Sequence, residues 1–266
     1  MKKTLKKLLL ETPETYYWMG FIMADGTFVG NRLKLGLSIK DEDLLLRLYN
    51  FLGCTNTIRI TDQACEFQMM DTHTVPILKD KFDINKRKTY NPPKSLQWMD
   101  KDLLSSFIIG FIDGDGCIKK QSNREDPSLS IQIHSAWLPI LTEMINHISQ
   151  LSKLNTPQPK LNSTGYAHVC ISNHQILKKL KLEVLRLGLP VLNRKWSLID
   201  ETFINRSERA SNSIIEVKKL LSLGYTNGMI CGELDLKPST LSTIQIRNGM
   251  KSLRYGEAKL IRDGHL

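Results

Sequence analysis

The sequence contains two closely matching stretches, WMGFIMADG at Trp18–Gly26 and IIGFIDGDG at Ile108–Gly116. In each, apolar residues at helical spacing surround a central glycine, and an Asp-Gly pair ends the stretch. Small residues four positions apart give each predicted helix a stripe without bulky side chains. Two such stripes allow helix backbones to pack unusually close, so we expect the two helices to lie side by side and parallel. The stripes consist of Gly20 and Ala24 in the first copy and Gly110 and Gly114 in the second.

Each motif ends in an aspartate, Asp25 or Asp115, and the glycine that follows is predicted to close the helix in a left-handed conformation. A carboxylate in the last turn faces the negative end of the helix dipole and unpaired carbonyl groups, which is unfavourable. A hard divalent cation removes this conflict, because Mg²⁺ prefers carboxylate, carbonyl and water oxygens. The alternative is a pair of Asp-Gly turns without function, and the duplication argues against it. The predicted metal ligands are Asp25, Asp115, Ala24 and Gly114.

Both motifs are followed by the same order of elements. Alternating apolar residues predict strands, and helical spacing then predicts a helix after each pair of strands. Asp41 and Ser135 stand where the helices after the first long strands would be N-capped. The sequence therefore predicts two copies of one unit, which pack as a pseudo-twofold pair. The predicted strands are 32–40, 65–69, 128–134 and 167–171, and the later helices lie around 75–82 and 175–187.

The composition bounds the class of protein. The 266 residues are 41% hydrophobic and 24% charged, which is ordinary globular material with enough apolar residues for a core. Lys and Arg number 37 against 27 Asp and Glu, and the net charge of +10 is spread along the chain, which favours binding to nucleic acid over a merely basic surface. Five scattered cysteines without a CxxC pair indicate neither a disulfide framework nor structural zinc. With no membrane-spanning run and no signal-peptide cleavage site, we expect a cytoplasmic protein without a membrane partner.

Polar residues alternate with the apolar ones on the two long strands and have the length to reach phosphates or base edges. A solvated sheet face is the alternative reading of each one alone. The candidate DNA-binding residues are Arg32, Lys34, Ser38 and Lys40 in the first copy and Ser130, Gln132 and His134 in the second. Each copy also ends in a basic-aromatic segment, NKRKTY at Asn85–Tyr90 and LNRKWS at Leu192–Ser197. A cation that stabilises the transition state could come from Arg87, Lys88, Arg194 or Lys195. Lys88 and Lys195 are the candidate catalytic residues, and Lys94 is a rival to Lys88.

The paired motifs, with the strands and helices that follow them, resemble the LAGLIDADG homing endonucleases over residues 10–206. The resemblance implies two αββαββα halves fused in one chain, which saddle DNA with a four-stranded sheet in the major groove of each half-site. It implies hydrolysis of one phosphodiester per strand across the minor groove, with Asp25 and Asp115 as the catalytic, metal-binding acids. It further implies Mg²⁺, with Mn²⁺ as a substitute and Ca²⁺ binding without supporting cleavage. Asp113 keeps the family's first acidic position, usually structural, whereas Met23 occupies it in the first copy.

The last part of the chain has a different composition. Ser211–Ser213 is interpreted as a linker or cap, and the amphipathic segments that follow resemble a helix-turn-helix of the resolvase or repressor kind. Asp235 is predicted in a tight turn and Pro238 at the start of the third helix. A small helical cap on the preceding domain is the alternative. The predicted groove-facing residues are Ser239, Thr240, Ser242, Thr243, Gln245 and Arg247.

The sequence thus predicts an α+β fold with two pseudo-twofold-related αββαββα halves at 10–104 and 105–206. A small all-α helix-turn-helix domain with its linker is predicted at 207–266. The predicted function is that of a monomeric, Mg²⁺-dependent, site-specific homing endonuclease with double-stranded DNA as partner and no small-molecule substrate. It would act in a nucleoid, a phage-infected cell or an organelle. The alternatives are a non-catalytic transcription regulator of similar architecture, whose motifs generally lack the acids, and an RNA-splicing maturase.

Overall fold

A computed structural model describes residues 4–54, 58–120, 127–200 and 206–264. The chain divides into two compact units, Met1–Glu201 and Thr202–Leu266. Within the described ranges, no helix combines the length and the apolar character needed to cross a membrane.

The first half of the larger unit begins with the first motif helix, which is buried from Thr15 to Met23. Pro13 starts this helix and the Thr12 side chain caps it, two features typical of helix N-termini. A 3₁₀ turn, Ile39–Asp41, connects the second strand to the second helix. The elements are α1 Pro13–Asp25, β1 Thr27–Val29, β2 Arg32–Ser38, α2 Glu42–Leu52, β3 Arg59–Ile60, β4 Ala64–Met70 and α3 Thr74–Lys81.

The second half repeats this order and adds one short helix. A 3₁₀ turn, Ser135–Trp137, stands where Ile39–Asp41 stands in the first half. The added helix has only four residues and carries the second basic-aromatic segment. The elements are α4 Lys101–Asp115, β5 Gly116–Lys120, β6 Pro127–His134, α5 Leu138–Ser152, β7 Lys160–Leu161, β8 Tyr166–Ile171, α6 His174–Leu187 and α7 Asn193–Trp196.

Each half contains one four-stranded antiparallel sheet, and the strand orders correspond: β1-β2-β4-β3 in the first and β5-β6-β8-β7 in the second. In the register, Leu35 faces Phe67 and Ile131 faces Val169, so apolar residues of neighbouring strands line the buried face. The alternate residues lie on the opposite face, as the period of two requires. The predicted α+β fold with two αββαββα halves is therefore confirmed.

The motif helices α1 and α4 pack backbone against backbone. A Cβ atom added at Gly20 would lie 1.9 Å from the carbonyl oxygen of Phe107, and one at Gly110 would lie 1.9 Å from that of Tyr17. Tyr17 and Phe107 occupy equivalent positions in the two motifs, as do the two glycines, so the contacts are reciprocal. Reciprocity of this kind is what a twofold relation between the halves requires. The small-residue stripes thus have the role that the sequence predicts.

The prediction of left-handed glycines after the motif helices is wrong. Gly26 has φ −76° and ψ 159°, and Gly116 has φ −81° and ψ 149°, both extended conformations. The chain passes directly from helix to strand here, which leaves no room for a left-handed turn. Glycine is required for a different reason: a Cβ atom at Gly26 would lie 2.7 Å from the Ile22 carbonyl oxygen, and one at Gly116 would lie 2.6 Å from that of Ile112.

The predicted N-cap position is confirmed for Asp41 and wrong for Ser135. Asp41 precedes α2 but makes no capping hydrogen bond with its side chain, because its carboxylate is bonded elsewhere. Ser135 lies at the start of the 3₁₀ turn, and Trp137 is the residue that precedes α5. An extra turn therefore separates each long strand from its helix.

The smaller unit is all-helical over its described residues, with a core of Val217, Leu220, Ile230 and Leu241. Gly224 and Asp235 have positive φ, at 77° and 48°, and the tight turn predicted at Asp235 is therefore observed. Ser211–Ser213 is not a linker, because α8 begins earlier and includes it. The sequence also gave no indication of α11. The elements are α8 Arg206–Ser222, α9 Asn227–Glu233, α10 Pro238–Arg247 and α11 Tyr255–Arg262.

Candidate active site and nucleic-acid interface

The two motif aspartates lie at the adjoining ends of α1 and α4. A Cβ atom added at Gly114 would meet the Ala24 Cβ at 2.3 Å and the carboxyl carbon of Asp25 at 3.4 Å, so the helix ends are in contact. Burial raises the pKa of Asp25, although the positive charges of Lys195 and Lys88 act to lower it. Burial raises the pKa of Asp115, and the charge of Asp25 raises it further. Two carboxylates are thus held close enough to repel one another, while both remain open to solvent on one side.

The Lys88 ammonium lies at the end of α1 and donates hydrogen bonds to its last carbonyl groups. Its Nζ lies 2.6 Å from the Ala24 oxygen and 3.4 Å from the Ile22 oxygen, and it also bonds to Met23. Burial lowers the pKa of Lys88 to about 8, although the charges of Asp115 and Asp25 act in the other direction. This position distinguishes Lys88 from its rival Lys94, whose described hydrogen bond is from the backbone N–H to Asp83.

Lys195 occupies the equivalent position at the end of α4. Its Nζ lies 2.6 Å from the carbonyl oxygens of Asp113 and Gly116, 3.1 Å from that of Ile112 and 3.4 Å from that of Gly114. The residue is 6% exposed, and burial lowers the pKa of the amine. Each motif helix therefore has a lysine capping its C-terminus.

These lysines change the argument for a metal. The sequence suggested that a carboxylate in the last turn needs a divalent cation to offset the helix dipole, but an ammonium group already occupies the negative end of each helix. The carbonyls of Ala24 and Gly114, predicted as metal ligands, accept hydrogen bonds from these lysines. What remains for a metal is the carboxylate pair and the second lone pair of each carbonyl. This all-oxygen donor set fits Mg²⁺. Among the described residues no three acidic, His or Cys side chains form a metal-ligand group, so Asp25 and Asp115 would be the side-chain ligands.

The first acidic position of the motif is occupied by Asp113 in one copy and Met23 in the other, and the two residues have different surroundings. Asp113 is 1% exposed and accepts hydrogen bonds from the Tyr17 hydroxyl at 2.8 Å, the Leu192 N–H at 2.9 Å and the Trp196 indole at 2.7 Å. It thereby fixes the segment that carries Lys195. Met23 is buried, and its apolar side chain cannot accept such hydrogen bonds; it meets the first basic segment through its main-chain carbonyl, which accepts from Lys88.

Two contacts between the halves were not foreseen from the sequence. The carboxylate of Asp41 forms a bidentate ion pair with Arg194, with atom pairs at 2.6 and 2.7 Å. The Trp137 indole donates to the carbonyl oxygen of Lys88 at 3.1 Å. The members of each pair lie far apart in the chain and carry no local pattern, so only the fold brings them together.

The strand residues predicted to bind DNA lie on the outward faces of the two sheets. Arg32, Ser38 and Gln132 are exposed, whereas Lys34, Ser130 and His134 are partly exposed; Lys40 is exposed in the 3₁₀ turn after β2. The strand register adds polar residues on the neighbouring strands, which were not predicted as DNA-binding from the sequence although β4 and β8 were predicted as strands. These are Arg59, Glu66 and Gln68 in the first sheet and Lys160, Tyr166 and His168 in the second.

A cavity of about 300 Å³ connects the motif-helix ends with the outward face of the second sheet. Lys88 and Asp115 line one side, and Gln132, His134 and Tyr166 line the other. The carboxylate, the ammonium group and the polar sheet face are therefore parts of one continuous surface.

In the smaller unit, the exposed face of α10 contains five of the six predicted residues: Ser239, Thr240, Ser242, Thr243 and Arg247. Gln245 is the exception and corrects the prediction. It is 4% exposed, and its amide nitrogen donates to Asn227 at 2.9 Å while its amide oxygen accepts from Asn227 at 3.2 Å. Its side chain joins α10 to α9 and does not lie on the outer face.

The fold and this geometry define a duplicated αββαββα protein with one acidic, lysine-capped helix end in each half. No family model and no curated protein sequence matches the chain. Solved structures that resemble it include a point mutant of I-SmaMI, 13% identical, with 90% of this chain and 98% of that chain covered and a TM-score of 0.47. Another is the LAGLIDADG homing endonuclease I-GzeII in complex with its DNA target, 12% identical, with 91% and 99% covered and a TM-score of 0.44. I-SmaMI bound to cleaved DNA is 12% identical, with 90% and 97% covered and a TM-score of 0.45.

Proposed function

We propose that this protein is a monomeric, site-specific endonuclease of the homing type that cuts both strands of duplex DNA. The observation that carries the proposal is the pair of carboxylates, Asp25 and Asp115, at adjoining helix ends, each end capped by a lysine. Two equivalent acidic centres related by a twofold match the two antiparallel strands of a duplex. The resemblance of both motifs to the LAGLIDADG signature supports the same activity.

The chain's own residues would bind and orient the phosphodiester. Lys88 and Lys195 place a positive charge beside each carboxylate, where it attracts a backbone phosphate and stabilises the negative charge that develops during hydrolysis. Asp25 and Asp115, with the carbonyls of Ala24 and Gly114, would hold the divalent cations, for which we propose Mg²⁺. When bound, such a cation supplies a water molecule of lowered pKa and stabilises charge on the phosphate.

The two sheets would bind the flanking half-sites. Arg32, Lys34 and Arg59 give the first outward face a net positive charge that Glu66 only partly offsets. The second outward face carries the lysines Lys119 and Lys160 and adds hydrogen-bonding groups, with Gln132 paired to His168 across β6 and β8. Charged residues position a phosphate backbone, whereas amide and imidazole groups read base edges. We therefore expect both halves to combine phosphate contacts with base contacts.

We further propose that the smaller unit binds DNA through α10. Its outer face carries small hydroxyl side chains and Arg247, which suit a major groove, and a tight turn at Asp235 separates α10 from α9 as in helix-turn-helix proteins. This unit would add binding energy to that of the sheets, while the chemistry stays with the aspartates of the larger unit.

Selection and cleavage on DNA test the proposal together. The full chain is first used to enrich bound sequences from duplexes with a randomised core, and the enriched duplex is then incubated with the protein and Mg²⁺. Asp25→Asn and Asp115→Asn are each expected to abolish double-strand cutting while leaving affinity largely unchanged, because a neutral amide does not replace a carboxylate at a metal. Residual nicking of one strand is compatible with two separate centres.

Asp80→Asn is the matched control, since Asp80 is an exposed carboxylate near the end of a helix, α3, away from the motif helices. It should cut at the wild-type rate. Two outcomes overturn the proposal: both motif variants cut both strands like wild type, or the wild type binds the enriched duplex and never cuts it. The second outcome favours a binding protein of the transcription-regulator kind.

A further inference from the structure

In each half, the last residue of the 3₁₀ turn after the central strand contacts the basic segment of the other half. The turns are Ile39–Asp41 and Ser135–Trp137, and each directly precedes a helix, so Asp41 and Trp137 are equivalent positions. Asp41 binds Arg194, the neighbour of Lys195 in the chain, and Trp137 binds the main chain of Lys88. Chemically unrelated residues therefore make the same kind of crossed contact.

The Asp41–Arg194 pair has the geometry of an anchor. Asp41 is 6% exposed, and both of its oxygens are used, by Nε at 2.6 Å and by Nη2 at 2.7 Å. The hydrogen bond to Asp41 raises the pKa of the Arg194 guanidinium. A planar fork bound through two parallel hydrogen bonds fixes orientation as well as distance. The Asp41 carboxylate is buried, whereas the Arg194 side chain is 54% exposed. Removing Arg194 would therefore leave a buried charge uncompensated, while removing Asp41 would release Arg194 to solvent.

The segment that this pair holds has little stability of its own. The helix α7 has four residues, Asn193–Trp196, and a single turn is unstable in isolation because helix nucleation is costly. Asp113 holds α7 within its own half through Leu192 and Trp196, and Asp41 holds it from the other half through Arg194. Lys195 lies between these two anchors.

We propose that Asp41 is a positioning residue for Lys195: through Arg194 it clamps α7 so that the ammonium of the second half stays at the end of α4. The catalytic consequence of this role rests on the proposed function, whereas the clamp itself is a property of the folded chain. A residue of the first half thereby fixes the position of the Lys195 ammonium group in the second half. Trp137 holds the main chain of Lys88 in the reverse direction, through a single neutral hydrogen bond.

Competitive labelling of lysine amines tests the clamp without DNA. The full chain is treated at one pH with a limiting amount of acetic anhydride, and mass spectrometry of its peptides gives the relative labelling rate of each lysine. In Asp41→Asn we expect Lys195 to be labelled about tenfold faster, the factor that corresponds to about 1.4 kcal/mol of lost anchoring. Lys88 should keep its wild-type rate and serves as the internal control. Asp41→Glu keeps the carboxylate and should restore much of the protection of Lys195. If Asp41 only stabilised the fold as a whole, its substitution would change the labelling of other lysines as well as that of Lys195.

Asp102→Asn is the matched control variant. It removes another bidentate pair, with Arg186, at the opposite end of α4, and should leave Lys195 protected. If Asp41→Asn unfolds the chain, as circular dichroism would show, the double variant Asp41→Asn/Arg194→Met leaves no uncompensated charge and takes its place. Unchanged labelling of Lys195 in a folded variant overturns the clamp, as does equal acceleration of Lys88 and Lys195. Because the labelling needs neither metal nor DNA, its failure is distinct from a failure of the wild type to cut DNA.

Discussion

At the scale of single residues, the lysine caps allow a carboxylate to lie at the end of each motif helix. Lys88 and Lys195 each donate to at least three main-chain carbonyls at a helix end that would otherwise repel Asp25 or Asp115. Under the proposed function, the stability of the helix ends and the chemistry would depend on the same two amines. The aspartates remain open to solvent beside them and are free to take up a cation.

Asp71 provides a residue-scale prediction that is independent of the candidate site. Its carboxylate accepts hydrogen bonds from the backbone N–H groups of Leu5 and Thr74, both at 2.8 Å, and connects the N-terminal segment to the start of α3. Burial alone would raise the pKa of Asp71, but these hydrogen bonds outweigh it and hold the pKa well below the usual value. A depressed folded-state pKa contributes stability above the unfolded pKa and loses it as the pH falls.

Asp71→Asn is expected to lower the free energy of unfolding by about 2 kcal/mol at neutral pH, the usual contribution of hydrogen bonds to a charged group. The difference from wild type should shrink below about pH 4, near the unfolded pKa of an aspartate. Urea titrations across this range measure it, with Asp80→Asn as a control that should show no such gap. A gap of constant size from neutral pH to about pH 2 would contradict the assignment.

The sequence predicted the candidate site residues but not the contacts that hold them. The duplicated motif predicted Asp25 and Asp115, and the basic-aromatic segments predicted Lys88 and Lys195, because both patterns are local and occur twice. The Asp41–Arg194 pair joins residues 153 positions apart, and no local pattern marks it. Gln245 was placed on the wrong face because a polar residue in an amphipathic helix is normally exposed, whereas here Asn227 satisfies its amide inside the unit.

At the scale of elements, the closeness of α1 and α4 is the feature most sensitive to substitution. Gly110→Ala places a methyl group 1.9 Å from the Tyr17 carbonyl oxygen, an overlap that backbone atoms relieve only by moving the helices apart. We expect the free energy of unfolding to fall by about 3 kcal/mol, the upper end of the range for overpacking, and the two acidic centres to move apart. Thermal and urea unfolding measure the loss.

Gly36→Ala is the control for this prediction, since a Cβ atom there meets nothing within 4 Å. Gly36 lies in β2, where alanine is as acceptable as glycine, and the variant should match or slightly exceed wild-type stability. Equal losses in the two variants would mean that glycine flexibility, and not helix contact, accounts for the effect.

In the smaller unit, two substitutions in α10 should affect DNA binding and stability separately. Arg247→Ala is expected to weaken DNA binding by about 1–3 kcal/mol if the side chain contacts a base, with little change in stability because the residue is exposed. Gln245→Ala should do the reverse, lowering stability by breaking its paired hydrogen bonds with Asn227. Affinity on the enriched duplex and thermal unfolding of both variants make the comparison. Loss of stability in Arg247→Ala, without loss of affinity, would remove α10 from the interface.

At the scale of the whole molecule, the duplication explains why one chain would suffice for two strands. In the larger unit the second half supplies the partner that a single half would need from a second copy, because α1 and α4 pack reciprocally and each half's turn contacts the other's basic segment. The sequence predicted the two halves from their repeated order of elements. It did not predict their crossed contacts, since these depend on how the halves are docked.

The division of the chain into Met1–Glu201 and Thr202–Leu266 leads to the prediction for the whole molecule. Both aspartates and both lysines belong to the first unit, which has its own core and both sheets. A variant that ends at Glu201 should therefore fold and still cut the enriched duplex, but with lower affinity and a shorter footprint, with protection lost on one flank only. Footprinting of the truncated and full-length proteins on the same duplex measures both effects. The Arg247→Ala variant of the full chain serves as an intermediate, since it should retain the long footprint at reduced affinity. Identical footprints and affinities for the truncated and full-length proteins would show that the smaller unit makes no contact with DNA and acts as a structural cap.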